Sequence, residues 1–147
     1  MFYRQVYLLL ILVFLCGCKN QKNITNLNLA PQEYYIYCNP LELQELFKNY
    51  KTNNYISISI KKENQIRNAK MRIRGDSSRD YDKKSLKIKI TDSLSIQTKK
   101  VFNFNAEYTD LSFLRSFLSS SIFKHLNYPC FSANFAKIYI NNKYYGL

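Results

Sequence analysis

Met71-Arg72-Ile73-Arg74-Gly75-Asp76-Ser77-Ser78-Arg79 is the stretch on which the reading of the fold turns. In an extended chain successive side chains point to opposite faces, so Met71 and Ile73 share one side and Arg72 and Arg74 the other. Gly75 frees the backbone to turn, and the small polar residues after it end the strand. The alternation resumes in Lys83-Lys84-Ser85-Leu86-Lys87-Ile88-Lys89. A strand from Ser85 to Thr91 places Leu86, Ile88 and Ile90 on one face and Lys87 and Lys89 on the other. Working backwards, Ile56, Ile58 and Ile60 alternate with Ser57 and Ser59, and the Glu63-Asn64-Gln65 turn leads into a strand from Ile66 to Arg74. These strands predict antiparallel neighbours with one apolar and one basic face.

Outward from this centre the period changes twice. Tyr34 to Tyr37 is a short strand, and Asn39-Pro40-Leu41-Glu42 carries the signals of a helix start: Asn as cap, Pro at the first position, Glu at the third. Leu43, Leu46, Phe47 and Tyr50 then form one apolar helical face. Further on, Val101 to Phe104 is a strand, and Asp110 is the expected cap of a helix from Leu111 to Leu126. Its positions Leu111, Leu114, Leu118 and Ile122, flanked by Phe113, Phe117 and Phe123, predict a broad buried face. Asn127 is placed to close it in the left-handed conformation. A last hairpin, Phe135 to Ile140 and Tyr144 onward, turns at Asn141-Asn142. The fold class expected is α+β, a mainly antiparallel sheet with one short and one long helix. Leu147 falls inside what reads as a strand, so an incomplete domain is expected.

The first residues have a different character. Met1 to Gly17 carries one charge, Arg4, then an apolar run from Val6 to Phe14, then Leu15-Cys16-Gly17 before Cys18. This has the layout of a signal peptide, with an apolar run well short of the ~20 residues that a spanning helix needs. Leu15-Cys16-Gly17-Cys18 resembles the lipobox of bacterial lipoproteins, which implies lipidation (palmitate) at Cys18 after cleavage. An ordinary signal peptide or a buried N-terminal helix is the alternative. The expected organisation is a signal peptide at 1–17, a flexible polar tether at 18–32 and one domain at 33–147. The expected location is the cell envelope, held to a membrane by the N-terminal lipid.

Lys and Arg number 22 against 10 Asp and Glu, and cleavage after Gly17 would leave 21 against 10. Such a surface attracts phosphate, anionic polymers or acidic headgroups over ~8–10 Å, without choosing among them. Nothing in it points to a specific nucleic acid, and simple solvation by lysine is the competing explanation. Beyond Cys16 and Cys18 the cysteines are Cys38 and Cys130, whose spacing leaves a disulfide open. With His125 the single histidine and no Cys-x-x-Cys, no metal site is expected.

Arg72 and Arg74 on one strand face present two guanidinium groups to an anion, and Ser77 and Ser78 add donors of the kind that line phosphate sites. A plain solvated basic face fits the same residues. The run Met71 to Arg79, then Lys83-Lys84-Ser85 with its basic strand, resembles the signature of the CotH kinase family, named for a spore-coat protein kinase. The likeness continues through Phe102-Asn103-Phe104-Asn105-Ala106-Glu107-Tyr108-Thr109-Asp110, Ser112 and Arg115, and through Ile138-Tyr139-Ile140-Asn141-Asn142-Lys143-Tyr144-Tyr145-Gly146-Leu147. Asp76 stands where that family usually has Asn, Asp82 where Pro is common, and Leu111 where Pro is common.

The resemblance implies part of the N-terminal lobe of an atypical kinase-like fold that binds ATP with Mg²⁺ and phosphorylates protein side chains. The candidate phosphate contacts are Arg74, Arg79, Lys84, Lys87 and Arg115, the last with an ion pair to Glu107 or Asp110 as its alternative. No Gly-x-Gly-x-x-Gly, His-Arg-Asp or Asp-Phe-Gly occurs. The resemblance places the catalytic carboxylates beyond residue 147, and Asp76, Asp80 and Asp82 read as loop charges. The expectation is therefore the N-terminal portion of a CotH-like protein kinase, inactive by itself. The alternative is a non-catalytic surface binding or adhesion module gripping an anionic partner through its basic sheet face. A broken gene product without a function of its own is the third reading.

Overall fold

Period-two alternation becomes a single seven-stranded sheet in the computed structural model, which describes residues 30–92 and 101–146. The expected signal peptide, Cys18 and most of the expected tether lie outside the described residues. The strands are β1 (Gln32–Tyr37), β2 (Ile56–Lys62), β3 (Gln65–Arg74), β4 (Ser85–Ile90), β5 (Val101–Phe104), β6 (Ala136–Ile140) and β7 (Lys143–Gly146), with α1 (Pro40–Lys48) and α2 (Arg115–His125) between them. Their order across the sheet is β5-β4-β3-β2-β1-β6-β7. Every neighbouring pair is antiparallel except one: β1 runs parallel to β6, with Gln32 opposite Ala136 and Ile36 opposite Ile140.

The predicted faces are the observed ones. Ile36, Met71, Ile73, Leu86 and Ile88 are essentially inaccessible, and Ile58, Ile60, Ala69, Ile138 and Ile140 join them in one core. The sheet curls around this core. Tyr34 of β1 meets Phe104 of β5 edge-on at 5.1 Å, although three strands separate them in the sheet. Helix α1 packs Leu46 into the same core, with Leu43, Phe47 and Tyr50 against it. Its start is as expected: the Asn39 side chain accepts from Leu41 N–H at 2.9 Å.

Asn141 couples the parallel strands. Asn141 and Asn142 both take positive φ in the β6–β7 turn, the requirement of a type I′ hairpin. The Asn141 amide then accepts from Cys38 N–H and donates to the Cys38 carbonyl, both at 3.0 Å, while its backbone N–H donates to the Ile36 carbonyl at 2.8 Å. One side chain thus extends the β1–β6 ladder beyond its last strand residue. Cys38 and Cys130 are both free thiols here.

The second helix departs from expectation. Asp110 caps no helix; its carboxylate accepts from the Ser112 hydroxyl at 2.6 Å and from the N–H groups of Ser112 and Arg115 at 3.1 and 2.9 Å. These bonds stabilise a tight turn, hold the Asp110 carboxyl below the usual carboxylate range and put Phe113 at φ 56°, so the helix begins only at Arg115. The expected buried face is also absent. Leu111 is 93% exposed and Ile122 58%, Leu118 and Phe123 are half exposed, and only Ser120 of the helix is buried. Phe117 stacks obliquely on Phe135 at 5.2 Å, but among the described residues no strand packs extensively on the rest of the stripe. The helix end matches its prediction: Asn127 has φ 59°, and the N–H groups of Asn127 and Tyr128 donate to Lys124 and Phe123 carbonyls in a Schellman pattern. Among the described residues no helix is long and apolar enough to cross a membrane.

Candidate functional site

Burial of Ala69, Met71 and Ile73 leaves Lys70, Arg72 and Arg74 on the outer face of β3, and burial of Leu86, Ile88 and Ile90 does the same for Lys87 and Lys89 on β4. The two arginines share one face as predicted. Arg72 donates from Nε to Tyr55 Oη at 3.2 Å and from Nη1 to Asn53 Oδ1 at 3.0 Å and the Ile73 carbonyl at 2.9 Å. Arg74 donates from Nη1 to Asn105 Oδ1 at 2.6 Å. Lys87 lies between Arg72 and Asn103 in the strand register. These partners are neutral, so the guanidinium groups are oriented while no ion pair among the described residues offsets their charge.

The loop from Gly75 to Lys84 borders this face. Gly75 has φ +110°, and a Cβ there would collide with Ser78 Oγ. Gly75→Ala is therefore expected to cost about 1–3 kcal/mol through backbone strain, read as a lowered midpoint in thermal melts. An unchanged midpoint would mean that the turn does not need glycine.

After the turn, one 3₁₀ turn at Ser77–Asp80 aims Arg79 back at the segment following α1. Its Nε donates to the Gly75 carbonyl at 2.7 Å, Nη1 to the carbonyls of Lys51 at 2.7 Å and Thr52 at 3.1 Å, and Nη2 to Asn53 Oδ1 at 2.7 Å. Lys84 Nζ donates to the carbonyls of Arg79 and Tyr81 and lies 4.3 Å from the Tyr50 ring centroid. Both candidates thus spend donors on backbone carbonyls, tying the loop to itself and to the end of α1.

Arg115 opens α2, apart from the sheet cations in sequence and element. It forms no ion pair among the described residues, although its charge contributes, after the bonds from Ser112 and its own N–H, to the lowered Asp110 carboxyl. Glu107 instead accepts from the Ser116 hydroxyl at 2.6 Å.

The loop acids have their own partners. Asp80 accepts from Tyr50 Oη at 3.0 Å and pairs with Lys51 at 3.3 Å, contacts that hold its carboxyl below the usual range in that order of weight. Asp82 accepts from Tyr108 Oη at 3.2 Å. Among the described residues no group of three His, Cys, Asp or Glu side chains could hold a metal.

Tyr145 of β7 anchors the other end of the loop. Its hydroxyl accepts from Lys84 N–H at 3.0 Å and donates to the Lys84 carbonyl at 2.7 Å, and its ring meets Phe47 at 6.0 Å. Burial pushes its phenol up to about 12. Asn53, Tyr55, Asn105 and Tyr145 position the site, with Asn103 beside Lys87 in the register, and the sequence reading assigns none of them a chemical role. Asn103, Asn105 and Tyr145 do fall in the blocks that resemble the CotH family, which was the available signal; Asn53 and Tyr55 carried none.

Comparison with known proteins bears on the same residues. The chain is 29% identical over 126 residues to inner spore coat protein H of Bacillus subtilis (strain 168), an alignment covering 86% of this chain and 34% of that protein. It spans about a third of the length of that relative. The end of β3 from Met71 on, β4, the loop between them, α2 and the last hairpin lie within residues 71–147, which match the family described as CotH kinase protein, and the chain belongs to that family.

Proposed function

We propose that this chain is the nucleotide-side portion of a CotH-like protein kinase, exported as a lipoprotein and held at the cell envelope. The observation that carries the reading is the set of Arg72, Arg74 and Lys87, without an ion pair among the described residues, the two arginines oriented by neutral side chains and Lys87 opposite Arg72, all inside the family-matched region. Phosphoryl transfer spreads negative charge over the oxygens of the transferred group, and preorganised cations stabilise it without reorganising during the reaction. When bound, ATP supplies the transferable phosphoryl group. Arg74 and Lys87 then contact its phosphates, while Arg79 and Lys84 hold the adjoining loop in shape, and Arg115 approaches from α2. The name of the relative supports a coat or envelope location, and the lipobox-like residues before Cys18 support a lipid anchor.

The test uses the longest uninterrupted reading frame containing this chain. The purified product is assayed for ATP binding and for transfer of labelled phosphate to a protein acceptor, and cells are labelled with palmitate. Lys87→Ala is expected to weaken ATP binding about tenfold or more, the effect of one charge-assisted hydrogen bond. Lys84→Ala is expected to lower transfer while also lowering the melting temperature. Cys18→Ala is expected to abolish the palmitate label. An intact, folded protein that neither binds ATP nor transfers phosphate sinks the kinase reading, and a label that survives at Cys18→Ala sinks the anchor.

A further inference from the structure

Two adjacent rungs of the β3–β4 ladder set like charges directly opposite one another. Lys70 faces Lys89, and Arg72 faces Lys87. Directly opposed side chains in an antiparallel pair have Cβ atoms about 4.5–5.5 Å apart, where like charges destabilise the sheet. One rung further, Arg74 faces Ser85. All five cations lie on the outer face, because the residues alternating with them are buried. None is ion-paired: the ion pairs among the described residues are Lys51–Asp80 and Lys137–Glu33. Asp92, just past β4, has one carboxylate oxygen on the N–H of Asn68 at 2.8 Å.

A face that needed only solubility would place Glu opposite Lys across these rungs and gain stability from it. The repulsion kept here calls for a compensating anion of matching extent. Residues two apart on a strand are separated by roughly 6.6–6.8 Å, so the three rungs span about 13–14 Å. That length suits several charges on one linear molecule.

The donors favour phosphate over carboxylate. Arg72 has Nε and Nη1 already on Tyr55, Asn53 and the Ile73 carbonyl, so the fork that grips a carboxylate in two parallel bonds is largely occupied. Three of the five cations are lysines, compact point charges that suit tetrahedral phosphate. Beside Lys70 the outer face forms a shallow groove of ≈ 380 Å³, lined in part by Tyr37, Ser57, Ser59, Asn68 and Thr91. Its hydroxyl and amide groups match the hydroxyl-bearing units that link successive phosphates.

We propose that the outer face of β3 and β4 binds a linear phosphodiester polymer, with Lys70, Arg72, Arg74, Lys87 and Lys89 on its phosphates and the adjoining groove on its linking units. Arg72, Arg74 and Lys87 are shared with the nucleotide reading, but Lys70 and Lys89 are not. The variant Lys70→Ser/Lys89→Ser therefore separates the two.

The full chain is titrated by fluorescence anisotropy with labelled poly(glycerol phosphate) and with oligothymidylate, two sources of the same chemistry, and with poly-glutamate, at several salt concentrations. Binding to a phosphodiester is expected with a slope of log affinity against log salt of about −3 to −4, near −0.7 for each of five cations. The double variant is expected to lose about 1.4 from the magnitude of that slope and at least tenfold in affinity at low salt. It should also melt no lower than the parent, since it removes a like-charge pair. Preference for either phosphodiester over the other supports the proposal and identifies the source. Poly-glutamate binding as tight as both, a slope shallower than about −1, or affinity unchanged in the folded double variant overturns it.

Discussion

Arg79→Ala is expected to lower the free energy of unfolding by about 3–4 kcal/mol, among the larger effects of a single substitution outside the hydrophobic core. The guanidinium binds carbonyls on both sides of a chain crossing: Gly75 on its own loop, and Lys51 and Thr52 past the end of α1, with Asn53 beyond. A hydrogen bond to a charged group contributes roughly 1.5–3 kcal/mol, and partial exposure of this site to water discounts the sum. Alanine would leave the 3₁₀ turn and the segment after α1 without a common partner. Arg79→Lys should recover less than half of the loss, because one ammonium cannot reach the Gly75 carbonyl and Asn53 together. Urea titration of the three proteins measures this. If Arg79 were chiefly a phosphate ligand, Arg79→Ala would unfold within about 1 kcal/mol of the parent and lose only ligand affinity.

The second large effect appears at high pH. Tyr145 ionises at about 12 in the folded protein against an ordinary value of 10.0, and burial is the first cause. Below pH 10 the phenol is protonated in both folded and unfolded chains, so the shift has no consequence there. Between pH 10 and about 12 only the unfolded chain gains by ionising, and stability falls by up to about 1.4 kcal/mol per pH unit, about 3 kcal/mol in all. Burial also raises the Tyr34 phenol, so the parent carries more than one such contribution. The difference between the parent and Tyr145→Phe isolates this residue. Tyr145→Phe should be less stable at pH 8, having lost both bonds to Lys84, yet decline less steeply from pH 10 to 12. Parallel curves for the two proteins would contradict the buried, doubly bonded phenol.

Much of the site was legible before any coordinates. The alternation in 71–74 and 85–90 put Met71, Ile73, Leu86 and Ile88 in the core and the arginines and lysines outside, because a strand offers a side chain only two directions. The caps at Asn39 and Asn127 and the turn at Asn141-Asn142 were readable for the same reason, as each is a local conformational preference of one or two residues. The partners that Arg79 and Lys84 meet in the fold were not readable. A basic residue near a glycine-containing turn has the same letters whether its donors meet a phosphate or a carbonyl oxygen. For Arg79 the partners come largely from the Tyr50–Asn53 segment, brought across the fold by α1, and for Lys84 from the carbonyls of Arg79 and Tyr81 in its own loop.

The helix after Asp110 shows the same limit from the other side. Its apolar spacing predicted burial, but periodicity reports which residues share a face and not what lies opposite that face. Leu118 and Ile122 remain exposed because no described strand packs extensively against this helix. The parallel pairing of β1 with β6 joins segments about a hundred residues apart, Gln32 with Ala136, and no local signal encodes a partner at that distance. By itself, then, the sequence determined the strands, their two faces, the turn chemistry and the basic character of the outer face, all properties of neighbouring residues. Only the tertiary structure decided which strands meet, which cations are spent on backbone carbonyls and which stand opposed and unpaired. Those outcomes depend on contacts between distant segments, whose free energy no short stretch of chain contains.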